Sequence, residues 1–125
     1  MWVAVAVYLV RYVLECECLS DVPHKYFKTL ARLGGRTLGI DATPSNIAIA
    51  SLHAGADPAF SAGTSSPKRG TLTYEHTSVE ELLAQRGPKS FDVVCSMEVI
   101  EHVDNPRTFL SNCATLVKAS PPTYV

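Results

Sequence analysis

The chain of 125 residues has no excess of charge of either sign: 11 Lys and Arg stand against 12 Asp and Glu, for a formal net charge of -1. A surface built to neutralise phosphates carries a basic surplus, so nucleic acid is excluded as a partner class. Long hydrophobic runs are also missing. Met1 to Val10 is apolar but is stopped by Arg11, short of the ~20 residues that span a bilayer. A secretory signal wants positive charge ahead of its apolar core, and a mitochondrial presequence wants Arg and Ser. This stretch starts apolar and runs into Glu15 and Glu17, so it reads instead as a Val-rich buried strand. Cysteine is sparse as well: Cys16, Cys18, Cys95 and Cys113 show no framework spacing. The C-x-C pair is too close for a usual disulfide or zinc hook, which points to a reducing compartment.

What is present suits one domain, with 46% hydrophobic and 18% charged residues and enough length to bury a core. Helical and strand-like pieces alternate, the pattern of an α/β fold with a mostly parallel sheet flanked by helices. Pro23 to Leu33 predicts a helix closed by Gly34 and Gly35, and Thr37 to Asp41 a short buried strand. Ser45 to His53 predicts a helix with Ile47, Ala48, Ala50 and Ser51 on its inner face. Ala54 to Gly70, rich in Gly, Ser, Pro and Ala, reads as a flexible insertion. Leu72 to His76 predicts a strand and Val79 to Gln85 a helix with Glu80 and Glu81 in its first turn, where acids suit the helix dipole. Phe91 to Ser96 is the clearest strand. Pro106 to Val117 predicts the last helix, with Phe109, Leu110, Cys113, Leu116 and Val117 on its apolar side.

In a parallel sheet, ligands bind beyond the carboxyl ends of the strands. Asp41 closes one strand there. It reads either as an acceptor for the two hydroxyls of a ribose or as a turn acid ahead of Thr43 and Pro44. Met97 and Glu98 follow another strand. Glu98, Glu101 and His102 stand at i, i+3 and i+4, which share a face if the segment is helical, and two carboxylates with an imidazole suit a divalent cation. The alternative makes Glu98 and Glu101 helix N-terminal acids and His102 a surface histidine. His24, His53 and His76 show no ligand spacing.

Residues 30–50, containing Gly39-Ile40-Asp41-Ala42-Thr43-Pro44-Ser45-Asn46-Ile47, and Phe91 to Val103, containing Glu98-Val99-Ile100-Glu101-His102, resemble the S-adenosylmethionine-dependent methyltransferases with a Rossmann-like class I sheet. More narrowly they are similar to the O-methyltransferases of ubiquinone biosynthesis, from about Leu30 to Lys118. The resemblance implies that Asp41 binds the cofactor ribose, that Ser78 and Val79 lie beside its adenine, and that Met97 lines the methionine side. It implies Glu98, Glu101 and His102 as the magnesium-associated set, with His102 also available as a general base because Mg²⁺ prefers oxygen ligands. The implied substrate is a polyprenylated catechol, either a dihydroxybenzoate or a demethylubiquinol. The implied setting is a membrane-associated quinone biosynthesis complex on the matrix face of the mitochondrial inner membrane, with the cytoplasm as the alternative.

Methyltransferases of this fold carry a glycine-rich turn after the first strand, because the backbone must approach the cofactor closely. Val13 to Leu19 is the corresponding place here, and Glu17 and Leu19 stand where glycines are expected. Residues 1–25 are thus atypical, and the tail after Lys118 lacks the expected Pro-Gly turn. The expectation is one incomplete methyltransferase domain, truncated at both ends. Its function classes are an O-methyltransferase of quinone biosynthesis, another small-molecule methyltransferase, or a truncated, non-catalytic interaction protein.

Overall fold

In the computed structural model, the described residues are 28, 31, 32, 34–60, 70–96 and 99–118, together with the backbone of Val5–Tyr8. Four parallel strands form one sheet: β1 (Val5–Tyr8), β2 (Thr37–Asp41), β3 (Leu72–His76) and β4 (Val93–Ser96), in the order β3-β2-β1-β4. Helices α1 (Pro44–Ala56), α2 (Val79–Arg86) and α3 (Pro106–Leu116) alternate with them, and a short 3₁₀ turn spans Ile100–His102. This is the α/β architecture that the alternating pattern predicts. The chain steps outward from β1 to β3, then returns to place β4 on the far side of β1. Reversal of the winding there makes the β1/β4 crevice a topological switch point.

Each element follows from local chemistry. β2 is buried along its whole length, as expected of a strand covered on both sides. Gly39 lies opposite Tyr74 in the β2/β3 register, and a Cβ on Gly39 would fall 2.5 Å from the Tyr74 ring. Only glycine lets that ring lie across the strand. Helix α2 starts in a reciprocal capping box, Ser78 accepting from the Glu81 amide and Glu81 from the Ser78 amide at 3.1 Å each. It stops at Gly87, which takes a φ of 77°. Asn105 caps α3 by accepting from the Thr108 amide, with Pro106 in the first turn, where its missing N–H costs nothing.

The core forms where α2 and α3 meet the sheet, from Leu38, Ile40, Val79, Leu82, Phe91, Val99, Phe109 and Leu116, with Leu83, Val94, Val103 and Cys113 packed against it. Four expectations shift in register. Leu110 is 51% exposed, since Phe109, Cys113 and Leu116 complete the inward stripe without it. The buried face of α1 is Asn46, Ala50 and Ala54, while Ala48 and Ser51 point outward. Ala54 to Ala56 belong to α1, and Asp57 to Phe60 form a turn, so the first seven residues of the segment from Ala54 carry helix and turn. Phe91 is joined to Val117 by an isolated parallel bridge and is not part of β4 proper. Residues 61–69, most of the Pro23 to Leu33 helix, and Val13 to Leu19 lie outside the described residues, although Lys28, Ala31 and Arg32 are helical.

The turn after α1 is tied to that helical piece. Asp57 Oδ2 lies 3.1 Å from Lys28 Nζ and 2.8 Å from an Arg32 guanidinium nitrogen, and the Arg32 guanidinium sits over the Phe60 ring. The Gly70 amide donates to the Ala31 carbonyl at 2.8 Å. Gly70 therefore passes so close to the Gly34–Gly35 backbone that a side chain would collide with it.

Candidate functional site

The carboxyl edge of the sheet gathers the residues that close the strands. Tyr8 and Ser96 are register partners across the switch point, and Asp41 and His76 are partners across β2 and β3. Asp41 has no solvent exposure. Its Oδ1 accepts the Thr43 amide at 2.7 Å and its Oδ2 accepts Asn46 Nδ2 at 3.0 Å. The first bond closes an Asx-type turn, and the second comes from the first turn of α1. Burial pushes the Asp41 carboxyl up from 3.8, and donation by Thr43 and Asn46, with the charge of His76, pulls it back in part. The Thr43 side chain also donates to the carboxyl; the two oxygens of a carboxylate offer about four lone-pair sites, so the group keeps acceptor capacity beyond these three bonds.

Around it, the backbone of β3 and α2 closes the edge. The Thr77 amide donates to the Asp41 carbonyl at 3.1 Å, and His76 Nε2 lies 3.0 Å from the Ala42 carbonyl. Glu81 receives the Ser78 amide and the Thr77 hydroxyl, and these donors hold its carboxyl below 4.5. Sequence reasoning singled out Asp41, Ser78 and Val79 here and missed Asn46, Thr77 and His76. The D-x-T spacing before Pro44 signals the turn. Nothing in the sequence announces that Asn46 folds back onto Asp41 or that His76 reaches across from β3.

The other assigned residues divide. The Ser78 hydroxyl is engaged as the α2 cap, and the Val79 side chain is 3% exposed within the core, so Val79 has only its backbone to offer a ligand. Met97 and Glu98 lie outside the described residues. Glu101 and His102 are exposed on the 3₁₀ turn, with His102 Nε2 4.0 Å from Glu101 Oε1. Among the described residues no group of three or more His, Cys, Asp and Glu is placed to hold a metal ion. The i, i+3, i+4 argument needs an α-helix, whereas the described part of this segment is a 3₁₀ turn over Ile100–His102.

A cavity of about 310 Å³ opens at the opposite, amino end of the strands, lined by Arg36, Thr37, Thr71, Thr73, Arg86 and Ser90 among others. Arg86 there is paired with Glu75 at 2.7 Å. By position, this cavity is separate from the ligand edge.

A parallel sheet wound about a switch point, with an acid closing its second strand, defines a Rossmann-like α/β domain. The chain belongs to the methyltransferase-domain family, whose model matches residues 21–120. It is 42% identical over 90 residues to the ubiquinone biosynthesis O-methyltransferase of Maricaulis maris, covering 71% of this chain and 30% of that protein. It is 41% identical over 91 residues to the mitochondrial ubiquinone biosynthesis O-methyltransferase of Schizosaccharomyces pombe, covering 73% and 29%. The mitochondrial protein of the same description from Arabidopsis thaliana is 44% identical over 87 residues, covering 70% and 24%. The match therefore spans less than a third of these relatives' length.

Proposed function

We propose that this domain is the cofactor-binding part of an S-adenosylmethionine-dependent O-methyltransferase of ubiquinone biosynthesis, methylating a ring hydroxyl of a polyprenylated dihydroxybenzoate or demethylubiquinol. The observation that carries the reading is Asp41, a carboxylate at the end of the second strand beside the switch point, within a stretch about 40% identical to proteins of that description. Its acceptor chemistry fits a nucleoside, because a carboxylate takes two hydrogen bonds from a vicinal diol. Asp41 would hold the ribose, Ser78 and the Val79 backbone would border the adenine, and Met97 would line the methionine arm. S-adenosylmethionine, when bound, supplies an electrophilic methyl on a sulfonium.

The acceptor oxygen must be deprotonated and held in line with the departing sulfur, and positioning accounts for much of such an acceleration. His102 is the general base in this reading: it takes the phenolic proton as the oxygen–carbon bond forms and the sulfur–carbon bond breaks. The magnesium assignment to Glu98, Glu101 and His102 belongs to the same proposal and is supported by the sequence pattern alone. Of that set the described residues supply one carboxylate and one nitrogen, a poor donor set for Mg²⁺ by themselves, so no step is routed through a metal.

Relatives described as mitochondrial in Schizosaccharomyces pombe, Dictyostelium discoideum and Arabidopsis thaliana support a mitochondrial location, with the matrix face of the inner membrane and a quinone biosynthesis complex as the finer expectation. No helix among the described residues is long and apolar enough to cross a membrane. The test is calorimetric titration of S-adenosylhomocysteine into the chain and its Asp41→Asn variant. Saturable binding lost in the variant is the expected result; equal binding by both would remove Asp41 from the site.

A further inference from the structure

We propose that His76 is a positioning residue of the nucleoside half-site, its ring holding the Asp41 to Thr43 turn in the shape that a ribose meets. The inference rests on the reading of this edge as the cofactor site. A carbonyl oxygen only accepts hydrogen bonds, so the 3.0 Å contact between His76 Nε2 and the Ala42 oxygen requires the ring proton on Nε2. Ala42 is the residue between the Asp41 carboxylate and the Thr43 amide that it accepts. Rotation of the Ala42 peptides would carry that amide away from the carboxylate. The ring thus acts on Asp41 through the backbone, from the register position directly opposite it on β3.

Five contacts define the turn: the Thr43 amide to Asp41 Oδ1, the Thr43 side chain to the Asp41 carboxyl, Asn46 to Oδ2, the Thr77 amide to the Asp41 carbonyl, and His76 to the Ala42 carbonyl. Four of them involve buried Asp41 itself. His76 is exposed, so its ring can be changed without opening the core, and it is the contact through which the turn can be loosened on its own. A loosened turn withdraws the Thr43 donor that offsets the burial of the Asp41 charge, and so weakens the acceptor that the ribose needs.

The experiment compares wild type, His76→Ala and His76→Gln by three readouts: ring ¹⁵N shifts of the wild type, Thr43 amide exchange, and calorimetric binding of S-adenosylhomocysteine. Expected are the Nε2–H tautomer in wild type, faster Thr43 exchange in His76→Ala, and binding weakened roughly fivefold, the worth of about one hydrogen bond. His76→Gln, whose amide nitrogen reaches the same place, recovers most of that loss, which a purely steric role for the ring would not allow. An Nδ1–H tautomer, or His76→Ala with wild-type exchange and affinity, overturns the proposal while leaving the cofactor reading intact. Wild-type chain that does not bind S-adenosylhomocysteine overturns the cofactor reading and the nucleoside role of His76 with it, whatever the tautomer.

Discussion

A single buried carboxylate links stability and ligand chemistry in this domain. Because burial raises the Asp41 carboxyl above its ordinary 3.8, the folded state binds this proton more tightly than the unfolded chain does. The sign follows: this group's contribution to stability is fully present in acid and is lost as pH rises through the raised folded value. Asp41→Asn keeps an acceptor for the Thr43 amide and carries no charge. Its melting temperature, measured against wild type from pH 4 to 8, is therefore expected to gain on wild type as pH rises, although it no longer binds S-adenosylhomocysteine. Asp41→Ala leaves the Thr43 amide, the Thr43 side chain and Asn46 Nδ2 without their acceptor and is expected to cost about 1–3 kcal/mol in urea unfolding. Asp57 behaves in the opposite sense. The Ala59 amide and then the cations Lys28 and Arg32 hold its carboxyl below 3.8, so its stabilisation is present above that value and fades as pH falls through the depressed one. Asp57→Asn should flatten the acid side of the stability curve and leave pH 7 lower by roughly 0.5–1 kcal/mol.

At the level of the elements, capping and close approach set the boundaries more than propensity does. Ser78→Ala removes one half of the α2 capping box and is expected to cost about 1 kcal/mol. Thermal unfolding followed by circular dichroism reports it, and loss of cofactor affinity beyond that expected from unfolding would show the Ser78 edge to be part of the adenine border. Gly39→Ala is the sharper case, since its methyl would meet the Tyr74 ring head-on. Either the ring swings out of the sheet face or the β2/β3 pairing yields, so near-ultraviolet ellipticity from Tyr74 should change along with the melting temperature. The strand boundaries of β2 and β3 were legible because Gly, Asp, Pro and Ser bracket runs of Leu, Ile, Thr and Tyr. The inner face of α1 was not, because Asn46 is drawn inward by Asp41, a partner five residues away whose burial depends on the sheet.

For the molecule as a whole, the four described strands place β3 and β4 at the edges of the described sheet. Among the described residues, cover on the β4 side lies at its start, where the Phe91 amide donates to the Leu116 carbonyl and the Lys118 amide to the Phe91 carbonyl. Val93 on that strand is 40% exposed. Strand edges with exposed apolar residues pair with other chains unless charge or cover prevents it, so the isolated chain should self-associate with rising concentration. Val93→Lys should shift the mass seen by light scattering toward the monomer without altering S-adenosylhomocysteine binding; an unchanged association state would place the contact elsewhere.

The sequence by itself determined the α/β class, the positions of β2, β3 and the last two helices, and the acid that closes β2, because local periodicity, caps and turn residues are written in short windows of chain. It also carried the family, in two motifs that need no structure to be seen. Tertiary structure alone decided that Asp41 is enclosed and held by Thr43 and Asn46, that Val79 is spent on the core, and that His76 bears on the turn from the neighbouring strand. It likewise decided that Glu101 and His102 sit on an exposed 3₁₀ turn. These outcomes depend on which strands become neighbours, and that pairing is settled by burial summed over the whole sheet rather than by any local pattern.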